Sequence, residues 1–189
     1  MSIQNLYQET IIFATTKHME RDQKVPGTDL PYIVHLSNVA MEIMIAASNS
    51  DNFNLSFAVQ VALLHDIIED TSMKIEELEI RFGVDIAKAV LALTKNIELS
   101  NDKQMQDSLT RIKKLQPEVW AVKLADRIAN LQTPPPYWDI QKMVNYQSEA
   151  KIILMELKEG NKYLANRLEK VIEEYAKYYI ETNSVLKKR

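Results

Sequence analysis

Apolar residues recur every three or four positions along most of this 189-residue chain, which is the spacing of amphipathic helices. No segment alternates strictly enough to predict a strand, so the pattern indicates an all-α protein. The length suits one domain, and we expect a bundle of about eight to ten helices. Helices are predicted at about 3–19, after Pro31, and at about 55–68, 71–83, 84–94, 103–115, 117–131, 138–158 and 161–182.

Three polar or proline-containing segments interrupt the helical pattern and predict its connections. They are "ERDQKVPGTDLP" at 20–31, "NSDNFN" at 49–54 and "TPPP" at 133–136. Asn54 is placed to cap the helix that follows it. The prolines set off two long C-terminal helices, and "YAKYYI" at 175–180 in the second is either an oligomer contact or packed on its own domain.

Composition and charge narrow the classes of function. The chain has 26 acidic and 23 basic residues, a net charge of −3, which argues against a nucleic-acid partner. Its start lacks the features of a signal peptide, and no apolar run approaches the ~18 residues of a membrane-spanning helix. We therefore expect a cytoplasmic protein with no membrane partner. Cysteine is absent, so a transition metal must be held by His, Asp or Glu.

One short stretch, "LLHDIIEDT" at 63–71, places four titratable side chains at the end of an apolar helix. At 100° per residue, His65, Asp66, Glu69 and Asp70 share one flank of that helix. A solvated helix end is one explanation. For His65 and Asp66, which follow "VALL", a divalent cation is favoured because buried charges need a partner.

Two other residues could complete such a site. His35 lies on a helix with an apolar face, where a lone histidine is more often structural. Asp126 lies in the apolar segment "VKLADRIAN" at 122–130 and shares one helix face with Lys123 and Asn130. An ion pair of Asp126 with Arg127 or Lys123 is the alternative to a metal bond.

Together, "YIVH" (32–35), "LLHDIIEDT" (63–71) and "VKLADRIANL" (122–131) resemble the HD-domain phosphohydrolase superfamily, in particular the hydrolase domain of the RelA/SpoT alarmone enzymes. The ordered set of motifs is far more specific than a lone His-Asp pair. The resemblance implies one HD domain over 1–189, with its metal and catalytic core at about 10–158 and a C-terminal helix at about 161–182. The length fits the small alarmone hydrolase type.

The resemblance also implies roles for individual residues. One divalent ion, typically Mn²⁺ with Zn²⁺ or Fe²⁺ as alternatives, is expected on His35, His65, Asp66 and Asp126. Glu69 and Asp70 are expected to position or activate the attacking water. Substrate contacts are expected from Lys24, Asn130, Thr133, Lys142 and Tyr146. The implied reaction removes the 3′-pyrophosphate of (p)ppGpp and gives GDP or GTP and pyrophosphate.

The sequence departs from the family pattern in three places. Val25-Pro26 stands where the family has a basic pair, and Lys24 and Arg21 are the nearest cations. Leu36 replaces a proline, and Lys95-Asn96-Ile97 replaces an acidic "DDK" motif. These changes affect substrate binding rather than the metal ligands. The alternatives are therefore an HD phosphohydrolase of another nucleotide, such as the 2′-phosphate of NADPH, and a catalytically silent nucleotide-sensing module.

Overall fold

A computed structural model describes residues 2–186, with side chains through residue 180. This part of the chain forms ten α-helices and one turn of 3₁₀ helix and contains no strand, which confirms the predicted all-α bundle. The outermost predicted positions, 1 and 187–189, lie outside the described residues. The helices are α1 (Ile3–Met19), α2 (Ile33–Ser48), α3 (Leu55–Leu64), α4 (Ile67–Asp70), α5 (Ile75–Phe82), α6 (Val84–Leu93), α7 (Asn101–Ile112), α8 (Pro117–Asn130), α9 (Ile140–Leu157) and α10 (Lys162–Leu186).

Helices α3 and α8 form the centre of the bundle. Helix α3 packs against α1, α2, α6 and α8, and α8 also contacts α9 and α10. Most side chains of both helices are buried, including Val61, Leu64, Val122 and Leu124. Polar residues at the end of α3 and in the middle of α8 therefore face one another in the interior.

The predicted continuous helix at 55–68 is wrong, because the chain breaks between α3 and α4. Helix α3 ends at Leu64, and Asp66 adopts φ −102° and ψ 2° before α4 begins at Ile67. Tertiary contacts explain the break: the Asp66 carboxylate accepts a hydrogen bond from the Tyr32 hydroxyl and lies beside the ring of His65. Such bonds to a charged group outweigh the ~1 kcal/mol net value of one more helical hydrogen bond.

Caps and connections agree with the sequence pattern. Asn54 caps α3 by accepting a hydrogen bond from the amide of Phe57 at 3.1 Å, as predicted. The connection between α1 and α2 is closed by one bridge between Lys24 and Pro31. Within it Gly27 has φ +79°, and a Cβ there would lie 2.8 Å from Pro135. This glycine therefore lets the first loop pack against the "TPPP" segment.

The C-terminal helix packs on its own chain, because α10 contacts α9, α8 and α2. Within the residues described, no helix combines the length and the apolar character needed to cross a membrane.

Candidate metal centre and active site

Two buried histidines define the centre. His35 lies in the first turn of α2, and His65 directly follows α3. Their Nε2 atoms are 3.3 Å apart, and both side chains are almost fully buried. Two packed helices therefore aim the same ring nitrogen of each histidine at one point.

Two aspartates complete the cluster. Asp126, in the middle of α8, places Oδ1 3.5 Å from Nε2 of His35 and 3.6 Å from Nε2 of His65. Asp66 places Oδ2 3.0 Å from Nε2 of His65 and 3.8 Å from Nε2 of His35. The structure thus brings together all four residues that the sequence predicts as metal ligands.

The donor set suits a divalent cation. His65 Nδ1 lies 2.8 Å from the carbonyl oxygen of Ala62, so this nitrogen carries the proton and donates it. When the ring is neutral, the lone pair of Nε2 faces the centre, as in metal-binding histidines. Candidate ligand atoms of His35, His65 and Asp126 all lie within 4.8 Å of one another. Two neutral imidazoles and two carboxylates match Mn²⁺, Fe²⁺ or Zn²⁺.

The charges at the centre stabilise one another strongly. Burial raises the pKa of Asp66, but when His65 is protonated its charge and its hydrogen bond outweigh that effect and lower the pKa. Burial likewise raises the pKa of Asp126, while the charge of Lys123 and hydrogen bonds from the two histidines lower it well below its usual range. Both carboxylates are therefore held ionised and ready to bind a cation.

Tyr32 and His18 form a layer behind Asp66 that the sequence interpretation missed. The Tyr32 hydroxyl donates to Oδ2 of Asp66, and burial together with the Asp66 charge raises the pKa of this tyrosine. The His18 ring lies 4.8 Å from the Tyr32 ring, and burial lowers its pKa to about 4. A neutral His18 therefore packs on the tyrosine that orients Asp66.

Glu69 and Asp70 follow one turn later, on α4. Glu69 Oε1 lies 2.5 Å from Nζ of Lys95, and Oε2 accepts a hydrogen bond from the Lys95 amide at 3.1 Å. Burial and the charges of Asp66 and Glu69 raise the pKa of Asp70 to about 6. Lys95 thus fixes Glu69, while Asp70 can exchange a proton near neutral pH.

A cavity beside His35, here called the Trp138 pocket, gathers several predicted substrate-binding residues. It has a volume of about 280 Å³ and is lined by Val25, Leu30, His35, Asn130, Thr133, Trp138 and Tyr146, among others. The Trp138 and Tyr146 rings meet edge to face at 4.9 Å. Among the described residues that line it, none is a lysine, arginine, aspartate or glutamate.

The predicted substrate contacts occupy different positions around this pocket. Asn130 donates from its amide to Oδ1 of Asp126 at 2.5 Å, and Thr133 Oγ1 lies 3.4 Å from the Tyr178 hydroxyl. Lys142 and Lys24 are not among the lining residues. Nζ of Lys142 is 5.4 Å from the centre of the Trp138 ring, and Nζ of Lys24 is 3.7 Å from Oδ2 of Asp22. Their roles in substrate binding stay predictions.

Known proteins resemble this chain in sequence. Residues 11–151 match the HD domain family. Guanosine-3′,5′-bis(diphosphate) 3′-pyrophosphohydrolase MESH1 of Danio rerio is 30% identical over 168 residues, covering 86% of this chain and 90% of that protein. The guanosine-3′,5′-bis(diphosphate) 3′-pyrophosphohydrolase of Aquifex aeolicus is 34% identical over 137 residues, 69% of this chain and 17% of that protein.

The fold is also found among solved structures. One, described as a metazoan ortholog of SpoT that hydrolyzes ppGpp, matches with a TM-score of 0.77 and 25% sequence identity. The match covers 89% of this chain and 94% of the other. The similarity predicted from the His35, His65 and Asp126 motifs is therefore confirmed, and the chain belongs to the HD domain family.

Proposed function

We propose that the protein hydrolyses the 3′-pyrophosphate of (p)ppGpp to GDP or GTP and pyrophosphate. The convergence of His35, His65, Asp66 and Asp126 in the bundle interior is the observation that carries this proposal. The similarity to MESH1 proteins over most of both chains supports the choice of substrate.

The four residues would hold one divalent ion, for which we propose Mn²⁺, with Zn²⁺ or Fe²⁺ as alternatives. When bound, such an ion lowers the pKa of a water molecule and offsets the negative charge of phosphate oxygens. The residues of the chain hold the metal ligands in position and remove a proton from the attacking water. Tyr32 orients Asp66, and Asn130 and Lys123 hold the two oxygens of Asp126.

The carboxylates of α4 act on the attacking water. Asp70 is ionised above a pH of about 6 and takes the proton of the water, while Glu69, fixed by Lys95, orients it. The water oxygen bonds to the phosphorus next to the ribose, and the bond from that phosphorus to the 3′ oxygen breaks. The 3′ oxygen receives a proton from solvent, Asp70 releases the proton of the water to solvent, and pyrophosphate leaves carrying the oxygen of the water.

The nucleoside is assigned to the Trp138 pocket. Trp138 and Tyr146 offer aromatic surfaces on which a base can stack, and His35 joins the pocket to the centre. We assign contacts with the nucleotide to Asn130 and Thr133, which line the pocket, and contacts with phosphates outside the pocket to Lys142 and Lys24. The rest of the proposal is a single HD domain that acts in the cytoplasm on a small nucleotide, with no nucleic-acid partner.

The direct test is to incubate the purified protein with ppGpp and Mn²⁺ and to measure pyrophosphate release. We expect release that stops when the metal is chelated and that Asp66→Ala abolishes. Asp85→Asn, on the exposed first turn of α6, is the matched control and should keep full activity. Release that is absent from the wild type, or that survives Asp66→Ala, would contradict the proposal.

A substrate panel separates the alternatives, because Val25-Pro26 replaces the basic pair of the family. Comparing kcat/KM for ppGpp, pppGpp and NADPH ranks the substrates. A preference for NADPH, with phosphate as the product, would show that the substrate is a nucleotide other than (p)ppGpp. If no phosphoester is turned over in a metal-dependent way, the remaining alternative is the catalytically silent sensing module.

A further inference from the structure

A second cavity lies beside the metal centre and is lined by three cations that the sequence interpretation did not include among the substrate contacts. This cavity, here called the Arg127 pocket, has a volume of about 120 Å³. It lies among α6, α7, α8 and α9, and its polar lining includes Lys95, Gln104, Ser108, Lys123, Arg127 and Glu149. Three positive side chains and one negative side chain therefore face one small volume.

Arg127 is the unusual member of this group. Only 8% of the residue is exposed, and its guanidinium carbon lies 4.2 Å from the centre of the Tyr146 ring. One nitrogen, Nη2, lies 3.6 Å from Oε2 of Glu149. The Nε and Nη1 atoms are buried and have no hydrogen-bond partner within the described part of the chain. Buried donors of this kind are normally paired, so these two nitrogens of Arg127 lack an acceptor.

Direct contacts join the pocket to the reacting centre. Lys123 lines the pocket and donates from Nζ to Oδ2 of Asp126 at 2.9 Å, while Oδ1 of Asp126 faces His35. Lys95 lines the pocket and holds Glu69. Lys123 and Lys95 therefore each line the pocket and also contact a carboxylate of the centre or of α4.

We propose that the Arg127 pocket binds the terminal phosphate of the pyrophosphoryl group, in the substrate and in the pyrophosphate product. This inference rests on the proposed function. Arginine binds phosphate oxygens through paired N–H donors, and the two lysines add charge at the side facing the centre. The cavity, at about 120 Å³, has room for a phosphate group.

The test measures pyrophosphate binding to the Mn²⁺-loaded protein by calorimetry at a fixed free Mn²⁺ concentration. Arg127→Met should weaken pyrophosphate binding at least about tenfold, because it removes charge-assisted hydrogen bonds. Lys113→Met is the matched control, because Lys113 lies outside the pocket and pairs with Glu156, and it should bind like the wild type. A folded Arg127→Met variant with wild-type affinity would overturn the inference.

Two further measurements keep the result interpretable. Thermal unfolding reports whether Arg127→Met is folded at the assay temperature. If it is not, Lys95→Met takes its place, because 59% of the Lys95 side chain is exposed, and unchanged pyrophosphate binding by that variant would also overturn the inference. Binding needs no turnover, so an inactive wild type that binds pyrophosphate through Arg127 contradicts only the proposed function. An active protein with Arg127-independent binding contradicts only this inference.

Discussion

The Trp138 pocket and the Arg127 pocket border the same centre but offer opposite chemistry. The first is about 280 Å³, has aromatic surfaces and is lined by no lysine or arginine within the described chain. The second is about 120 Å³ and is lined by two lysines and a buried arginine. This difference in charge and size supports the two proposals, which assign the nucleoside to the first pocket and the distal phosphate to the second.

Helix α8 builds this difference within two turns. Lys123, one turn before Asp126, lines the Arg127 pocket, and Asn130, one turn after it, lines the Trp138 pocket. The two pockets are separated where the Arg127 guanidinium stacks on the Tyr146 ring. One helix thus carries a metal ligand at its middle and a different binding surface on each side. A substitution at Asp126 should therefore affect binding in both pockets, whereas a substitution at a residue that lines one pocket should affect only that pocket.

The largest effect is expected from Asp126→Asn. The variant keeps the shape of the side chain but loses the charge that faces His35 and His65 and pairs with Lys123. Mutating even the partners of metal ligands costs about 10- to 100-fold, so we expect a fall in Mn²⁺ affinity and in pyrophosphate release of more than ~100-fold. Metal titration and turnover assays measure both quantities. Wild-type Mn²⁺ affinity in this variant would show that the centre does not depend on Asp126.

Asp70→Asn should separate catalysis from binding in both pockets. Loss of a general base lowers kcat by about 10²- to 10⁴-fold, while pyrophosphate binding and the KM for ppGpp should stay near wild type. Steady-state kinetics and calorimetry on the same preparation test this prediction. A large change in pyrophosphate affinity would place Asp70 in the Arg127 pocket instead.

The raised pKa of Asp70 also predicts a dependence on pH. Below a pH of about 6 its carboxyl holds a proton and cannot accept another, so kcat/KM should fall toward acid, and a bound cation moves this fall to lower pH. The pKa of Asp70 in the folded protein lies above the ordinary aspartate value of 3.8, so the folded protein binds this proton more tightly than the unfolded chain. The contribution of Asp70 to the free energy of unfolding is therefore lost as the pH rises from 3.8 to about 6, and Asp70→Asn should remove that decline.

Trp138→Ala tests the other side of the comparison. Stacking of one base on an aromatic ring is worth about 1–3 kcal/mol, so the KM for ppGpp should rise roughly 5- to 150-fold. Pyrophosphate binding should not change, because Trp138 does not line the Arg127 pocket. Tyr137→Ala is the matched control, since this neighbouring ring is 71% exposed and lies outside the Trp138 pocket. Equal effects of the two variants would place the base elsewhere.

The spacing of apolar residues predicted the helical bundle, and the resemblance to the HD-domain motifs predicted the four converging residues of the centre. The residue pattern alone favoured a cation only for His65 and Asp66. It did not predict the end of α3 at Leu64, because that break depends on the hydroxyl of Tyr32, the residue before α2, reaching Asp66. The Lys95–Glu69 pair was missed for the same reason, since 26 positions separate the two residues in sequence. For Asp126 the sequence left Lys123 and Arg127 as alternative partners, and only the packing shows that Lys123 makes the ion pair.

The smallest effect is expected where the first loop meets the Trp138 pocket. Val25 lines this pocket, and the described residues that line the pocket include no lysine or arginine. The wild type should therefore discriminate weakly between substrates that differ only in their 5′ phosphates. Val25→Arg restores a charge there. An exposed ionic contact contributes about 0.2–1 kcal/mol, so the KM for ppGpp should fall about 1.4- to 5-fold, with a smaller change for a guanosine 3′-pyrophosphate carrying one 5′ phosphate. Val84→Arg, at a 49% exposed position that does not line the pocket, controls for added charge. An equal change in KM for both substrates would mean that the 5′ phosphates do not pass Val25. The uncharged lining of the pocket would then play no part in discriminating between the two substrates.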